Sequence, residues 1–292
     1  MKKKLFLTIA IIIVAVLAAL VFLTPRVTPE EPLPNPNGYD DFTRAGVLVS
    51  ANASDWNTLT IEDLRLTVAT NEPVRQLIRN GLGKECRVVR YTLAGTNSSH
   101  MDDLANHKRV AHAFCAASRL QLLDGRTNEA AILALDCIRY GHESARGGVL
   151  IDGLVGLAIQ AIGLSRLEEA LPGTDADTSR KVVASLEDVA SRTELSADIW
   201  KREAQWARRG RFGSAGIFTQ LIQPFLQRGT KSKMEQKFIK GSTELQRTKL
   251  HAATRAYELD HGQPPATARD LVPQYLKSVP LDSTTGQELP LN

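Results

Sequence analysis

The hydrophobic and polar positions along the chain predict a membrane-spanning helix followed by a mostly helical protein. After three lysines, the residues from Leu5 to Leu23 are apolar except for Thr8. At about 1.5 Å per residue, a helix over these 19 residues would be roughly 28 Å long, close to the hydrocarbon thickness of a bilayer. The residues at the end of this run, Val21 to Pro25, lack the small residues of a signal-peptidase site. Residues 1–24 are therefore predicted to be an uncleaved signal anchor rather than a cleaved signal peptide. The residues that represent the predicted span are Leu5, Ile11, Val16 and Leu23.

The charges on either side of this span predict its orientation. Lys2, Lys3 and Lys4 precede it, and only Arg26 follows closely. The positive-inside rule therefore places the N-terminus in the cytoplasm and the bulk of the chain on the extracytoplasmic, periplasmic side of the cell membrane. Five prolines then fall within residues 25–41, a density typical of an extended linker that holds a domain away from the membrane.

Residues 42–210 carry apolar residues at spacings of three and four, which predicts a helical bundle. Thr60, with Asp63 three residues later, is a predicted N-cap. The apolar face predicted for the helix that follows consists of Ile61, Leu64, Leu66 and Val68. Further helices are predicted over about 102–123, 127–140, 178–192 and 196–209.

The helices on either side of residue 125 should form an antiparallel hairpin, because only a tight turn separates them. Gly125, Ala130 and Ala134 stand where a tetratricopeptide unit places small residues, so residues 125–137 resemble the second half of such a unit. A repeat period of about 34 residues is not found in the sequence, so a repeat array is not predicted. The resemblance implies a closely packed helix pair within the bundle.

The stretch from Val149 to Leu164 is apolar almost all round, which allows two interpretations. A second membrane span is one of them. The other is a central helix surrounded by the rest of the bundle, with Gly153, Gly156 and Gly163 allowing close backbone contacts. The acidic Asp152 and the short length of the run favour the central helix.

The formal net charge of +4 conceals a strong asymmetry along the chain. Between residues 201 and 255 the charges sum to +10, which leaves −6 for the remainder. Within this basic region, residues 211–241 also contain an apolar cluster over 217–226. An interfacial membrane segment, a solvated loop, and a surface for nucleic acid or an acidic protein are the alternatives. The candidate contacts to an anionic surface are Arg208, Arg209, Arg211, Arg228, Lys231 and Lys233.

Residues 242–292 form the last predicted segment, a helix followed by a tail. Tyr257 precedes an Asp-x-Gly-x-x-Pro turn that begins at Asp260, and Pro280-x-Asp282 with Gly286 follows. This pattern resembles the segment after the long helix in major pseudopilins of type II secretion. The resemblance implies a link to a secretion or pilus-like machine.

The overall order of segments resembles a group of uncharacterised bacterial membrane-anchored helical proteins with such a pseudopilin-like C-terminal segment. The matching segments are residues 64–66, 77–83 and 147–159. The resemblance implies an architecture, and it gives no indication of which activity the protein has.

The three cysteines, Cys86, Cys115 and Cys137, include no Cys-x-x-Cys pair. Cys115 and Cys137 should lie nearly opposite each other in the predicted hairpin. A disulfide in an oxidising compartment and a pair of small buried hydrophobic residues are therefore both open interpretations.

Other reactive side chains do not complete a known spacing. The pairs Asp103–His107 and His112–Cys115 lack a third ligand, so neither a metal site nor a cofactor is predicted. Asp152 and Glu203 are the carboxylates of interest on apolar or amphipathic helices. An acid–base pair and hydrogen-bonded structural roles are the alternatives for them.

Taken together, the sequence predicts a membrane-anchored extracytoplasmic scaffold or protein-interaction module without enzymatic activity. Its expected partners are the membrane and proteins of the cell envelope, and nucleic acid is not expected. An accessory component of a secretion or pilus-like envelope machine and an anchored hydrolase of unknown type are the alternatives.

Overall fold

The computed structural model describes residues 32–89, 97–209 and 216–291, with side chains described over 32–89, 100–206 and 231–291. The predicted anchor over 1–24, with Leu5, Ile11, Val16 and Leu23, lies outside these ranges. The described residues are mainly α-helical and include no strand, as the sequence predicts. The helices in these ranges are α1 (Gly38–Leu48), α2 (Ile61–Thr70), α3 (Glu72–Leu82), α4 (Asn97–Leu123), α5 (Thr127–Glu143), α6 (Leu150–Ala170), α7 (Ala176–Arg192), α8 (Ser196–Arg209) and α9 (Gly216–His261).

Helix α1 begins inside the predicted linker over 25–41. The Asn37 side chain accepts a hydrogen bond from the Tyr39 backbone N–H at 3.2 Å and donates one to the Arg87 carbonyl at 2.8 Å. Tyr39 and Asp41 are buried. The prediction that the linker extends to Asp41 is therefore wrong by about one turn, because these residues pack onto the bundle instead of remaining in solvent.

Helix α2 confirms its predicted cap but not its predicted apolar face. The Thr60 hydroxyl accepts a hydrogen bond from the Asp63 backbone N–H at 3.2 Å. Leu64 is fully buried against α4, whereas Ile61 and Leu66 are 55% and 67% exposed. Two residues correspond to about 200° around a helix, so Leu66 projects away from the side that Leu64 buries.

Helices α4 and α5 form the predicted hairpin. Gly125 adopts a φ of +73° in the connecting turn, a conformation that favours glycine. Helix α5 continues three residues beyond its predicted end, to Glu143. The tetratricopeptide-like character of this hairpin stays a prediction.

Helix α6 lies at the centre of the bundle and packs against α4, α5, α8 and α9. Ile159 and Leu167 are fully buried. Within the described residues, the stretch Leu150–Gly173 is the one helical stretch that is long and apolar enough to cross a membrane, judged by length and composition alone. Its contacts within the bundle agree with the predicted central helix in part, because Ala158 and Ala161 on one face of α6 are exposed.

Helix α9 is one continuous helix of 46 residues. The sequence analysis predicts a segment boundary between residues 241 and 242, but α9 continues through this position. Gly241 and the upstream Pro224 favour interruption locally, yet the backbone stays helical across both positions. The C-terminal part of α9 packs extensively against α7, which supports the helix from outside.

The C-terminal tail is part of the bundle core. Leu271, Tyr275, Leu276 and Leu289 belong to the same buried cluster as apolar residues of α5, α6, α7 and α9. Leu33–Asn292 accordingly form one compact unit. The predicted boundaries at 210/211 and 241/242 therefore do not separate compact bodies, and the pseudopilin-like character of the tail stays a prediction.

Candidate functional site

An apolar groove with a basic rim lies between α6 and α9. It is a cavity of about 320 Å³. Its lining residues on α6 include Leu154, Leu157, Ala158, Ala161 and Leu164, and those on α9 are Lys237, Lys240, Gly241 and Glu244. We call this feature the α6–α9 groove.

The residue spacing on α6 explains why the groove forms. Positions 154, 157, 158 and 161 recur at three and four residues, so they share one face of the helix. The two alanines on this face, Ala158 and Ala161, remain exposed. This face of α6 is therefore incompletely covered by its neighbours. Such exposure is unusual, since a helix that is apolar on all sides is normally buried on all sides.

A glycine on each helix allows α6 and α9 to approach closely. A Cβ atom on Gly241 would lie 2.1 Å from Leu157 Cδ1, and one on Gly153 would lie 3.1 Å from Phe238 Cζ. Further along, Glu168 is hydrogen-bonded to His251 at 2.9 Å. The residue numbers of these contacts increase together along both helices, so α6 and α9 run in the same direction.

The basic rim comes from exposed lysines on α9. Lys233, Lys237 and Lys240 are separated by four and three residues and therefore follow one face of the helix. Among the described residues, Lys237 and Lys240 form no ion pair, whereas Glu244 is paired with Arg247 at 2.9 Å. The two lysines that line the groove are thus available to an anion.

The predicted anionic-surface contacts are only partly described. Lys231 and Lys233 are exposed, and Lys231 Nζ lies 3.8 Å from Glu235 Oε1 and 5.9 Å from the Trp200 ring centroid. Arg211 lies outside the described residues, and the side chains of Arg208, Arg209 and Arg228 lie outside the described side chains. Sequence reasoning missed Lys237 and Lys240, although their spacing from Lys233 is a signal that could have identified them.

Asp152 and Glu203 converge on the N-terminus of α6. Asp152 Oδ2 accepts a hydrogen bond from the Val149 backbone N–H at 2.8 Å, and Glu203 Oε2 accepts one from Leu150 at 3.0 Å. Asp152 Oδ1 also lies 2.9 Å from His100 Nε2, and the neighbouring Asp152 carboxylate raises the pKa of His100. Both carboxylates accept hydrogen bonds from N–H groups at the helix N-terminus, which have no partner within the helix. The geometry therefore supports hydrogen-bonded structural roles.

A second pair of charged residues fixes α8 to the loop before α6. Arg202 donates to the Gly148 carbonyl at 2.8 Å and to Glu194 Oε1 at 3.0 Å. Glu194 Oε2 in turn accepts from the Gly147 backbone N–H at 3.3 Å. This network holds the α6 N-terminus in place and therefore positions one end of the groove.

His107 is a buried histidine in the core. Its Nδ1 lies 2.6 Å from the Tyr140 hydroxyl and its Nε2 lies 3.3 Å from the Tyr39 hydroxyl. Burial lowers the pKa of His107 to about 4. The imidazole is therefore neutral near pH 7 and serves as a hydrogen-bonded core residue. In the described ranges, no group of three or more potential metal ligands is found.

The three cysteines are free and buried. Burial raises the pKa of Cys86 and Cys115 to about 12 and raises that of Cys137 well above its usual range. Of the two interpretations of Cys115 and Cys137, the structure supports small buried hydrophobic residues. Thiols of this kind are poor nucleophiles because the thiolate is the reactive form.

The fold and the groove define a mainly α-helical protein with an open, lysine-rimmed apolar surface. Comparisons with models of protein families, with curated proteins and with solved structures gave no match. The functional conclusions below therefore depend on the sequence and the geometry of this chain.

Proposed function

We propose that this chain is a membrane-anchored extracytoplasmic scaffold that binds an anionic component of the cell envelope through the α6–α9 groove. The observation that carries the proposal is the combination of open apolar residues with Lys237 and Lys240, two lysines that form no ion pair within the described residues. Apolar residues exposed together often mark a binding surface. Lysines at the edge of such a surface select a partner that carries negative charge.

The anchored, extracytoplasmic part of the proposal comes from the N-terminal sequence. The apolar run from Leu5 to Leu23 has the length of a membrane span, and its flanking lysines favour a cytoplasmic N-terminus. A domain tethered in this way stays close to the membrane surface, within reach of the lipid head groups.

The experiment has a topology arm and a binding arm. In the first, protease is added to intact cells after the outer barrier is permeabilised, and the bulk domain should be digested. Digestion only after the cytoplasm is opened would contradict the proposed orientation.

In the binding arm, the full chain is purified from detergent-solubilised membranes as wild type and as Ala161→Leu, which fills the groove. Ala184→Leu, at an exposed position on α7, is the matched control. We expect an anionic component to copurify with the wild type and the control and to be depleted from Ala161→Leu. Identical copurified material from all three would contradict the proposed binding surface.

A further inference from the structure

We infer that the α6–α9 groove binds an acyl chain of an anionic phospholipid, with Lys237 and Lys240 holding the phosphate of its head group. This inference rests on the proposed function, since it identifies the anionic component as a lipid of the membrane to which the chain is anchored. Three features of the groove support it: its volume, the distribution of charge along it, and its openness.

The volume of the groove, about 320 Å³, lies within the range of sites that take small ligands, about 300–1,000 Å³. Its lining along α6 consists mainly of leucine and alanine side chains. An acyl chain is an apolar ligand that suits a lining of this kind.

Charge along the groove has a direction that matches an amphiphile. Because α6 and α9 run in the same direction, Lys237 lies toward the Leu154 end, and Glu244 lies further along toward Leu164. Glu244 is already neutralised by Arg247. One end of the groove is therefore cationic and the other is apolar with balanced charge, as an anionic head group and its chain require.

The side of the groove that faces solvent would let a chain enter sideways. Ala158 and Ala161 are exposed along the α6 face, so an acyl chain can enter laterally without a helix moving aside. Lys233 extends the exposed positive charge along α9 beyond the groove, whereas Lys231 is paired with Glu235. Lys233 would lie near the head group of a neighbouring lipid and increase the preference for an anionic bilayer surface.

The test measures lipid binding to the full chain in detergent. Delipidated protein is titrated with phosphatidylglycerol or with phosphatidylcholine of the same acyl chains, and bound lipid is counted by native mass spectrometry. We expect tighter binding of phosphatidylglycerol. Each lysine near an anionic surface contributes about fivefold, so Lys237→Ala/Lys240→Ala should weaken phosphatidylglycerol binding by roughly 25-fold and remove the preference over phosphatidylcholine.

Two control variants separate this site from lipids bound elsewhere, including around the anchor. Lys108→Ala/Lys181→Ala removes two exposed lysines of α4 and α7 that do not line the groove, and it should bind as the wild type does. Ala161→Leu should weaken binding of both lipids, and Ala184→Leu should not. Equal affinity of wild type and Ala161→Leu, or equal loss in both lysine pairs, would overturn the inference.

Free fatty acid provides the arm that distinguishes the source of the chain. Binding of a fatty acid more tightly than phosphatidylglycerol would overturn the assignment to a phospholipid. An acidic protein that copurifies in a groove-dependent way, without groove-dependent lipid, would overturn the lipid inference while leaving the proposed scaffold intact. A cytoplasmic bulk domain would instead refute the proposed function.

Discussion

Helix α6 packs in two different ways on its two sides. Toward α5, backbone approaches backbone: a Cβ on Gly141 would lie 2.8 Å from the Gly156 carbonyl oxygen. Toward α9, the Leu157 side chain fits over Gly241, and the α6–α9 groove remains beside this contact. The first side leaves no room for a side chain, whereas the second already holds unfilled space.

This difference shows how one helix can be both a structural centre and a binding surface. Backbone contacts on the α5 side cannot rearrange without moving whole helices. Contacts on the α9 side involve a flexible side chain, which can change rotamer at small cost. Substitutions of matched size on the two sides should therefore have very different consequences.

The largest effect is expected when side chains are added at the two glycines. Gly141→Val should lower the free energy of unfolding by at least about 3 kcal/mol, because the new atoms meet backbone of α6. Gly241→Val should cost clearly less, since the nearest atoms to its Cβ belong to the Leu157 side chain and not to backbone. Urea denaturation followed by circular dichroism measures both values. Equal losses would show that the two sides of α6 are equally rigid.

The next effect is a pH dependence that comes from His107 of α4, whose imidazole contacts the hydroxyl of Tyr140 on α5. The unfolded chain protonates His107 near its ordinary pKa of about 6.5, whereas the folded protein does so only at about 4. The unfolded state thus binds more protons in this window, so stability falls as the pH drops from about 6.5 to about 4, by up to roughly 3 kcal/mol.

His107→Gln provides the comparison, because it keeps a polar group between Tyr39 and Tyr140 but does not titrate. The difference in stability between wild type and variant should decrease below pH 6.5. The elevated pKa of His100 has the opposite sign, since its contribution is lost as the pH rises. Parallel stability curves for wild type and His107→Gln would contradict the assignment.

A smaller effect is expected at the α6 N-terminus, which both sides share. Asp152→Ala should cost about 1–2 kcal/mol, because it removes a backbone hydrogen bond and the His100 contact. Asp152→Asn should also return the pKa of His100 toward its ordinary value, which an NMR titration reads directly. An unchanged His100 titration would show that the contact is not formed in solution.

The smallest effect is expected in the groove itself. Ala161→Leu places a larger side chain in open space, so the free energy of unfolding should change by no more than about 0.5 kcal/mol. Ala134→Leu, at a buried position of α5, should destabilise the protein measurably. A large loss in Ala161→Leu would mean that the groove closes in solution.

Local features of the fold could be predicted from the sequence. Helix α8 spans Ser196–Arg209 as expected, and Thr60 caps α2 because its signal depends on residues within one turn. The hairpin of α4 and α5 was also predictable, since a short glycine turn leaves two long amphipathic helices few other arrangements.

Features that depend on distant packing could not be predicted in the same way. Leu66 looked like a core residue, but only the position of α4 decides which side of α2 is buried. The groove joins residues of α6 and α9 that are about 80 positions apart in the sequence. The spacing of Lys237 and Lys240 from Lys233 can be read from the sequence, but their position at the groove depends on α9 continuing through Gly241 and running beside α6.

The attachment of the tail has a consequence for how the molecule is made. Leu289 packs in the same cluster as residues of α5, α6 and α7, and the Ser283 backbone N–H is held by the Thr243 hydroxyl of α9 at 3.0 Å. A nascent chain therefore lacks part of its core until synthesis has passed residue 289. If the domain is exported, its earlier helices reach the far side of the membrane before the segment that completes the core, so the folding of this cluster finishes after translocation.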